Sequence, residues 1–275
     1  MWVAETIQDK TLPRSEGKRL SAAELTALQG GHLLPPYSTL TVGVQVPDGA
    51  LWVGSTQGMM LKDPREGRWR VFNSRRWLPD DRVQDLAVTA DGAVYVQTPA
   101  GVGRLRQENK TLEQKMTEIH AELRRRHLRE GLVGRIVLKV PGQLDAGWTQ
   151  PDDDNDGLWT SLYVAAEGFR YGATGDPRAK KNAWESLQAL MFLEKVTGIP
   201  GFAARSIVPT LQPKPDHGEW HKSVDGKWWW KGDTSSDEVA GHYFAYAVYY
   251  DLAATEAEKT QIRAVVGRKI GRAHV

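Results

Sequence analysis

The sequence contains no cysteine. This absence excludes disulfide bonds, thiolate metal sites and a cysteine nucleophile, and it leaves the cellular compartment open. No run of about 18 apolar residues is present, so the sequence predicts no membrane-spanning helix. Residues 1–5 also lack the basic start and the apolar stretch that are typical of a secretory signal.

An excess of charge of either sign is also missing. The chain of 275 residues has 36 Lys and Arg against 34 Asp and Glu, which gives a formal net charge of +2. We therefore expect neither a nucleic-acid partner nor a charged membrane surface. The hydrophobic share of 40% is ordinary for a globular protein. The length fits one large domain or two modest ones.

The first half of the chain contains an internal repeat with an offset of 43 residues. Residues 48–53 (DGALWV) return as residues 91–96 (DGAVYV). The same offset aligns Pro36 with Pro79, Leu40 with Val83 and Gly58 with Gly101. Asp-Gly predicts a tight turn, and the alternating apolar residues after it predict a strand with one buried face. A period of 40 to 45 residues is typical of a four-stranded propeller blade.

This pattern resembles the blade repeat of two-component-regulator propellers, although Tyr95 replaces the usual Trp in the second copy. The resemblance implies a sensor or scaffold domain over residues 1–108, a partial β-propeller of about two blades. Residues 2–4 are interpreted as the remnant of an earlier copy that matches residues 52–54. Two copies are too few for a closed ring. Either the chain is a fragment or the blades form an open sheet; two unrelated hairpins are the alternative.

Helical patterns dominate the rest of the chain. Residues 109–132 and 157–197 follow helical spacing, with a short strand predicted between them at 134–141, and further helices are predicted at 236–253 and 256–268. The cations at 124–126 are interpreted as a solvated helix end. The predicted core positions are Leu158, Leu162, Ala165, Ala166 and Phe169, then Ala183, Leu187, Leu190, Met191 and Leu193, then Val239, Tyr243, Tyr246 and Tyr250, and finally Ile262, Val265 and Val266. Residues 198–234 show no periodicity, which is typical of a functional loop.

Successive helical hairpins with long loops at one end resemble the α/α toroid, the six-hairpin architecture of many glycoside hydrolases and several polysaccharide lyases. We therefore expect a mixed β and α chain, with an incomplete α/α-hairpin domain at 109–269. Residues 270–275 (IGRAHV) resemble a reading frame of a sequencing adapter, so we expect them to be non-native and the natural protein to continue. The resemblance favours an extracellular or periplasmic location.

Carboxylates cluster where the first of these helices begins, at residues 152–156. Asp152, Asp154 and Asp156 match the opening of an EF-hand calcium loop, but the bidentate Glu expected at position twelve is Tyr163. Calcium therefore remains the lesser interpretation, beside helix capping. Capping accounts for one or two of these carboxylates. The others repel one another, which should raise the pKa of at least one of them.

A second acidic stretch precedes the helix that begins near residue 236. Ser235 and Glu238 have the spacing of a capping box, which leaves Asp233 and Asp237 without a structural role. Glu238 and His242 lie one helical turn apart. They are interpreted as a surface pair, an acid–base pair or two metal ligands, with the metal ranked last because no third ligand is evident.

These features predict a carbohydrate-active enzyme, a glycoside hydrolase with paired carboxylates. The candidate catalytic residues are Asp154, Asp156, Asp233, Asp237 and His242. The candidate substrate-binding residues are Trp159, Arg205, Trp220, Trp228 and Trp230, because aromatic rings stack on sugars. One alternative is a polysaccharide lyase that uses Tyr243, His242 and Arg205. The other is a non-catalytic glycan-binding or sensor module. No cofactor or metal is expected, and the expected partner is an oligo- or polysaccharide.

Overall fold

A computed structural model describes residues 1–8, 11–31, 34–152 and 154–273. The described residues combine six helices with antiparallel sheets. The chain divides into two compact units, Met1–Lys115 with Val140–Ala146 and Met116–Lys139 with Gly147–Val275. None of the helices in these ranges is long and apolar enough to cross a membrane.

The first unit consists mainly of two antiparallel sheets. Its elements are β1 (Trp2–Ile7), β2 (Lys18–Arg19), α1 (Ala22–Leu28), β3 (Leu40–Gln45), β4 (Leu51–Ser55), β5 (Gly58–Lys62), β6 (Trp69–Phe72), β7 (Asp85–Val88), β8 (Val94–Thr98) and β9 (Gly101–Gln107). The strand orders are β2-β3-β4-β5-β6 and β1-β9-β8-β7. The sheets of the described residues close into neither a barrel nor a propeller ring.

The sequence repeat corresponds to a repeated strand arrangement. Ser55 pairs with Gly58 at the turn between β4 and β5, and the same turn between β8 and β9 pairs Thr98 with Gly101. In both Asp-Gly turns the glycine has a positive φ, 90° and 79°, a conformation that glycine adopts without steric cost. The offset of 43 residues therefore describes the same hairpin twice.

Strand β1 shows that one expectation is wrong. Residues 2–4 do not take the place of residues 52–54 in another copy, because β1 pairs with β9, with Trp2 opposite Gln107. In the second sheet β1 thus occupies the position that β6 occupies in the first. The residues that the offset equates with β6 instead begin the helix α2 (Leu112–Arg126).

The two sheets share one apolar core within the first unit. Its aromatic part contains Trp2, Trp52, Phe72 and Trp77. Trp2 meets the rings of Trp52 and Phe72 edge-on at 5.3 and 5.4 Å. Such edge-to-face pairs add about 0.5–1.5 kcal/mol beyond the burial of their area. The N-terminal strand is therefore held by ring contacts as well as by its ladder.

The second unit is mainly helical. The elements that follow α2 are β10 (Leu128–Arg129), β11 (Leu132–Val133), β12 (Val137–Val140), β13 (Gln143–Thr149), α3 (Asp156–Thr174), α4 (Pro177–Lys195), β14 (Ile207–Pro209), β15 (Trp220–Lys222), β16 (Trp228–Lys231), α5 (Ser236–Leu252) and α6 (Glu256–Ala273). All belong to the second unit except Val140–Ala146 of the β12–β13 hairpin, which belongs to the first. The helix expected to reach residue 132 ends at Arg126. The turn of the β10–β11 hairpin explains this end, since Glu130 and Gly131 have φ of 53° and 80°.

Helices α3 and α5 run in the same direction and pack closely. A Cβ atom on Gly157 would meet Glu238 and His242, one on Gly168 would meet Val248, and one on Gly172 would meet Leu252. The two sets of residue numbers increase together, so the helices are parallel. Helix α4 follows α3 after a two-residue turn, as in an antiparallel hairpin. Glycine lets the α3 and α5 backbones approach each other.

This close approach changes part of the expected faces of α3 and α5, although Ala165 and Tyr246 are buried as predicted. Leu162 and Phe169, predicted as core, are exposed, whereas Glu167 and His242 are buried. The stripe of large apolar residues in α3 does not predict the buried face of this helix, because small residues of α3, rather than large ones, contact α5. In contrast, the predictions for α4 and α6 are confirmed: Ala183, Leu187, Leu190 and Leu193 are buried, as are Ile262 and Val265.

The segment expected to be irregular, residues 198–234, forms a three-stranded antiparallel sheet with the order β14-β16-β15. The strands are only three or four residues long, which is too short for a periodic signal. Trp228, Trp229 and Trp230 form most of the central strand. The sheet leads directly into the start of α5.

Candidate functional site

The starts of α3 and α5 meet, and Glu238 joins them. Its Oε2 atom accepts a hydrogen bond from the backbone N–H of Leu158, in the first turn of α3, at 3.0 Å. Its Oε1 atom lies 3.2 Å from the side-chain amide of Asn155. Glu238 thus satisfies one of the N–H groups that a helix start leaves without a partner. Sequence patterns do not indicate this role, because Leu158 and Glu238 are 80 positions apart.

The capping box predicted for α5 is therefore wrong. Ser235 is the N-cap residue, but its side chain makes no capping hydrogen bond. The Ser235 hydroxyl donates to the carboxylate of Asp237 instead. Glu238 cannot return a bond to its own helix because its carboxyl group is engaged by α3.

His242 lies one turn along α5 from Glu238 and is fully buried. Its Nδ1 atom is 3.3 Å from the hydroxyl of Tyr246. Its Nε2 atom has no hydrogen-bond partner among the described residues. The position that a Cβ would take on Gly157 is 2.3 Å from Glu238 Oε2 and 2.6 Å from His242 Nε2. Glu238 Oε2 and His242 Nε2 are therefore close to each other, separated by at most the sum of these two distances. A side chain larger than that of glycine has no room at position 157.

Burial governs the protonation of this pair. It raises the pKa of the Glu238 carboxyl to about 8, and the charges of Asp156 and Asp237 act in the same direction, against the Leu158 N–H and Arg205. Burial also lowers the pKa of His242 well below its usual range. At neutral pH Glu238 is therefore mostly a neutral acid and His242 a neutral imidazole.

Asp156 is buried beside this pair and is engaged by two partners. Its Oδ2 atom accepts from Arg129 Nη2 at 2.5 Å and from the hydroxyl of Ser206. Arg129 also donates to the backbone oxygen of Ile207. These contacts connect the start of α3 with β10 and β14. Asp156 is thereby directed toward a buried guanidinium and away from solvent.

The other two described carboxylates of the first acidic run have different partners. Asp152 Oδ2 lies 3.1 Å from His217 Nε2, and Asp154 pairs with Lys231. The hydrogen bond from Lys231 lowers the pKa of Asp154. The pKa increase expected from repulsion is therefore wrong for Asp154. Asp153 lies outside the described residues.

The three carboxylates suggested for calcium thus have three different partners: His217, Lys231 and Arg129. No group of three or more His, Asp or Glu side chains within the described ranges is arranged to hold a metal ion. Lys231 occupies the inner side of Asp154, since its side chain is almost fully buried while that of Asp154 is 57% exposed.

Arg205 links the two acidic stretches through their backbones. Its guanidinium donates to the backbone oxygens of Asp154 and, at 2.9 Å, of Asp233. Asp237 is exposed, and the hydroxyl of Ser235 lowers its pKa. Arg205 therefore connects the chain at Asp154 with the chain at Asp233, and the charges of Asp156 and Asp237 act on the buried Glu238.

The tryptophans proposed for sugar binding differ in accessibility. Trp159, in the first turn of α3, is 45% exposed, whereas Trp220 and Trp230 are 6% and 7% exposed. Lys231 lies over the ring of Trp220, and His221 covers Trp230 with ring centroids 4.4 Å apart. Trp228 meets Phe192 edge-on at 5.3 Å. Trp159 thus offers the most accessible ring next to the acidic residues.

The residues considered for a lyase do not form one exposed group. His242 is buried, Tyr243 is half-buried on the next position of α5, and Arg205 contacts backbone oxygens. A different histidine and tyrosine do meet: His120 Nε2 lies 3.3 Å from the hydroxyl of Tyr163, which also accepts from Arg124 at 3.1 Å. Tyr163, the residue that fails as a calcium ligand, is buried between them.

Comparisons with protein-family models, with curated proteins and with solved structures found no match. The geometry at the start of α3 and α5 is therefore the basis for a functional proposal.

Proposed function

We propose that the second unit is a carbohydrate-active enzyme of the glycoside hydrolase type, with its acidic groups where α3 and α5 begin. One observation carries this proposal: a neutral carboxyl group, Glu238, lies beside ionised carboxylates. Hydrolysis of a glycosidic bond needs both forms, an acid that protonates the leaving oxygen and a carboxylate that activates water or attacks the sugar.

In this proposal Glu238 is the proton donor and Asp154 the ionised partner. Burial keeps Glu238 protonated near neutral pH, while Lys231 keeps Asp154 ionised. Environments that push the pKa values of two carboxyls apart are the usual means of assigning the two roles. Asp233 and Asp237 contribute further negative charge, which favours the cationic transition state of the sugar.

The proposal requires a movement, because Glu238 is only 1% exposed. The segment 232–235 leads into α5 and has to open before a sugar reaches the carboxyl group. Two side-chain oxygens of this segment, Asp233 Oδ1 and Thr234 Oγ1, form no hydrogen bond with the described residues. Opening the segment breaks no hydrogen bond at either of these oxygens, but it breaks the bond from Arg205 to the Asp233 backbone oxygen and the bond from the Gly232 N–H to Glu219.

The fold supports the same proposal. We propose that the two sheets of the first unit are propeller blades, on the basis of the hairpins that repeat at the sequence offset. We also propose that α3 to α6 are two hairpins of an α/α toroid. The parallel α3 and α5 fit the inner helices of such a toroid. Their exposed apolar side chains, among them Trp159, Leu162 and Phe169, fit the face that inner helices turn toward their neighbours.

The test is the release of reducing sugar from a panel of neutral and acidic glycans. Wild type is compared with Glu238→Gln, Asp154→Asn and a matched control, Asp251→Asn, which lies exposed at the other end of α5. We expect the first two variants to lose turnover and the control to retain it. Full activity in Glu238→Gln would refute the assignment of the acid.

Two other outcomes separate the alternative functions. A product that absorbs in the ultraviolet identifies the reaction as a lyase, because elimination leaves a double bond in the sugar. Binding of a glycan without any product supports the non-catalytic sensor module that the propeller-like repeat favours. In that case Trp159→Ala should weaken binding, since its ring is the accessible one.

A further inference from the structure

A cavity of about 380 Å³ lies between α2, α3 and α4. Its lining contains the side chains of four cationic residues and no carboxylate. The lining residues are Met116, Thr117, His120, Ala121, Arg124, Arg170, Arg178, Lys181 and Asn182. Three carboxylates just outside this lining, Glu167, Asp176 and Glu185, pair with the four cations, which leaves an excess of one positive charge at the cavity.

Carboxylates lie behind these cations and hold them in place. Arg124 Nη2 donates to Glu185 at 3.1 Å. Arg170 donates to Asp176 at 2.5 Å and to both oxygens of Glu167 at 3.2 Å. A guanidinium has five N–H donors, so these contacts fix its plane and leave donors for another group. The arrangement resembles a ligand site in which the cations are oriented before the ligand binds.

The start of α4 places further cations beside the cavity, next to an N-cap carboxylate. A helix start carries a partial positive charge and favours acidic side chains. The N-cap residue Asp176 accepts hydrogen bonds from the backbone N–H and the guanidinium of Arg178, and Lys180 and Lys181 follow in the helix. Lys180 lies 3.7 Å from Glu258, and Lys181 is only 3.8 Å from Glu185 and largely exposed. The Asp176 carboxylate offsets the positive end of the dipole and part of the charge of Arg178, so Lys181 is the least closely paired of the four cations that line the cavity.

Neutral donors form the inner wall of the cavity. Asn182 is buried and donates to Glu167 at 2.9 Å, and its Nδ2 atom lies 3.3 Å from His120 Nε2. The cavity thus combines exposed cations at its mouth with hydrogen-bonding groups at its base. This combination suits a ligand with several anionic oxygens rather than a single point charge.

We propose that this cavity binds an anionic oxygen group, such as a phosphate, a sulfate or a carboxylate. Its volume suits a ligand of about the size of one substituted sugar ring. The proposal depends on the charges that line the cavity and does not require the hydrolase activity proposed above. Failure of either proposal therefore leaves the other intact.

Titration calorimetry of the whole chain at constant ionic strength tests the proposal. Inorganic phosphate, inorganic sulfate and glucuronate are used in separate arms, with glucose as the uncharged reference. We expect at least one anion to bind with a 1:1 stoichiometry and glucose not to bind. The arm with the highest affinity identifies the anion class. Absence of binding in all three anion arms would overturn the proposal.

A pair of double variants locates the site. Arg178→Ala with Lys181→Ala should weaken anion binding at least tenfold. Lys195→Ala with Lys227→Ala removes the same charge from exposed positions elsewhere in the second unit and should have little effect. Equal losses in the two double variants would show that net charge, and not the cavity, controls binding, and would refute the proposal. Circular dichroism of both variants checks that the helices are intact, and Arg124→Gln provides a further variant if the first one unfolds.

Discussion

The sharpest prediction concerns the pH dependence of stability that Glu238 imposes. Its pKa is about 8 in the folded state and 4.5 when unperturbed. Between these values the folded chain holds a proton on Glu238 that the unfolded chain has lost. Stability therefore falls as the pH rises through this range, by about 1.4 kcal/mol for each pH unit.

His242 acts in the opposite direction over part of this range. Its pKa is far below the usual 6.5 in the folded state, so the unfolded chain holds the extra proton below pH 6.5. There stability rises with pH and offsets the effect of Glu238. Above pH 6.5 only Glu238 remains of the two. We expect a loss of roughly 2 kcal/mol between pH 6.5 and 8 from this residue.

Denaturant unfolding, followed by far-ultraviolet circular dichroism at intervals from pH 5 to 8, measures this loss. Above pH 8 Lys269 becomes important, because its pKa is lowered to about 8 by burial and its effect then raises stability with pH. Glu238→Gln keeps the acceptor for the Leu158 N–H but cannot ionise. Its stability should therefore not decline between pH 6.5 and 8 as the wild type does.

Glu256→Gln is the matched control, because Glu256 is exposed in the first turn of α6. Its stability should follow the wild-type curve throughout. If the wild-type decline between pH 6.5 and 8 persists unchanged in Glu238→Gln, then Glu238 does not hold the proton and the acid proposed for catalysis is wrong.

Three further predictions concern the surroundings of Glu238. Gly157→Ala should cost about 1–3 kcal/mol by overpacking, whereas Gly172→Ala in the same helix meets its neighbours at 3.5 Å or more and should be neutral or stabilising by up to about 1 kcal/mol; denaturant unfolding of both compares them. Asp156→Ala should cost about 3–5 kcal/mol in the same measurement, because it leaves the guanidinium of Arg129 buried without its anion. Trp159→Ala should leave the melting temperature nearly unchanged while weakening glycan binding in calorimetry.

Local sequence signals predicted the elements of this chain well. The Asp-Gly turns and the alternation after them identified the repeated hairpins, and spacing at three and four identified the buried faces of α4 and α6. Both signals depend on neighbours a few residues away. The short strands of residues 198–234 gave no such signal, because three or four residues are fewer than the period analysis needs.

Long-range pairing was only partly predictable. The meeting of the two acidic helix starts followed from the assumption that both helices are inner helices of one hairpin stack. The same assumption does not predict the side-chain partners at this meeting point, which are Glu238 with the Leu158 N–H, Asp154 with Lys231 and Asp156 with Arg129. Each of these pairs joins residues at least 27 positions apart. Spacing rules describe one element at a time and do not reach such pairs.

The most informative disagreement is the face that α5 buries. Hydrophobicity predicts Val239, Tyr243, Tyr246 and Tyr250 on the core side; Tyr246 is buried as predicted, but α5 also buries Glu238 and His242. Burying a carboxyl group that must stay protonated, next to an imidazole with an unpaired nitrogen, lowers stability. Groups that are retained at such a cost to stability are candidates for function, which favours Glu238 as the working acid over a merely structural cap.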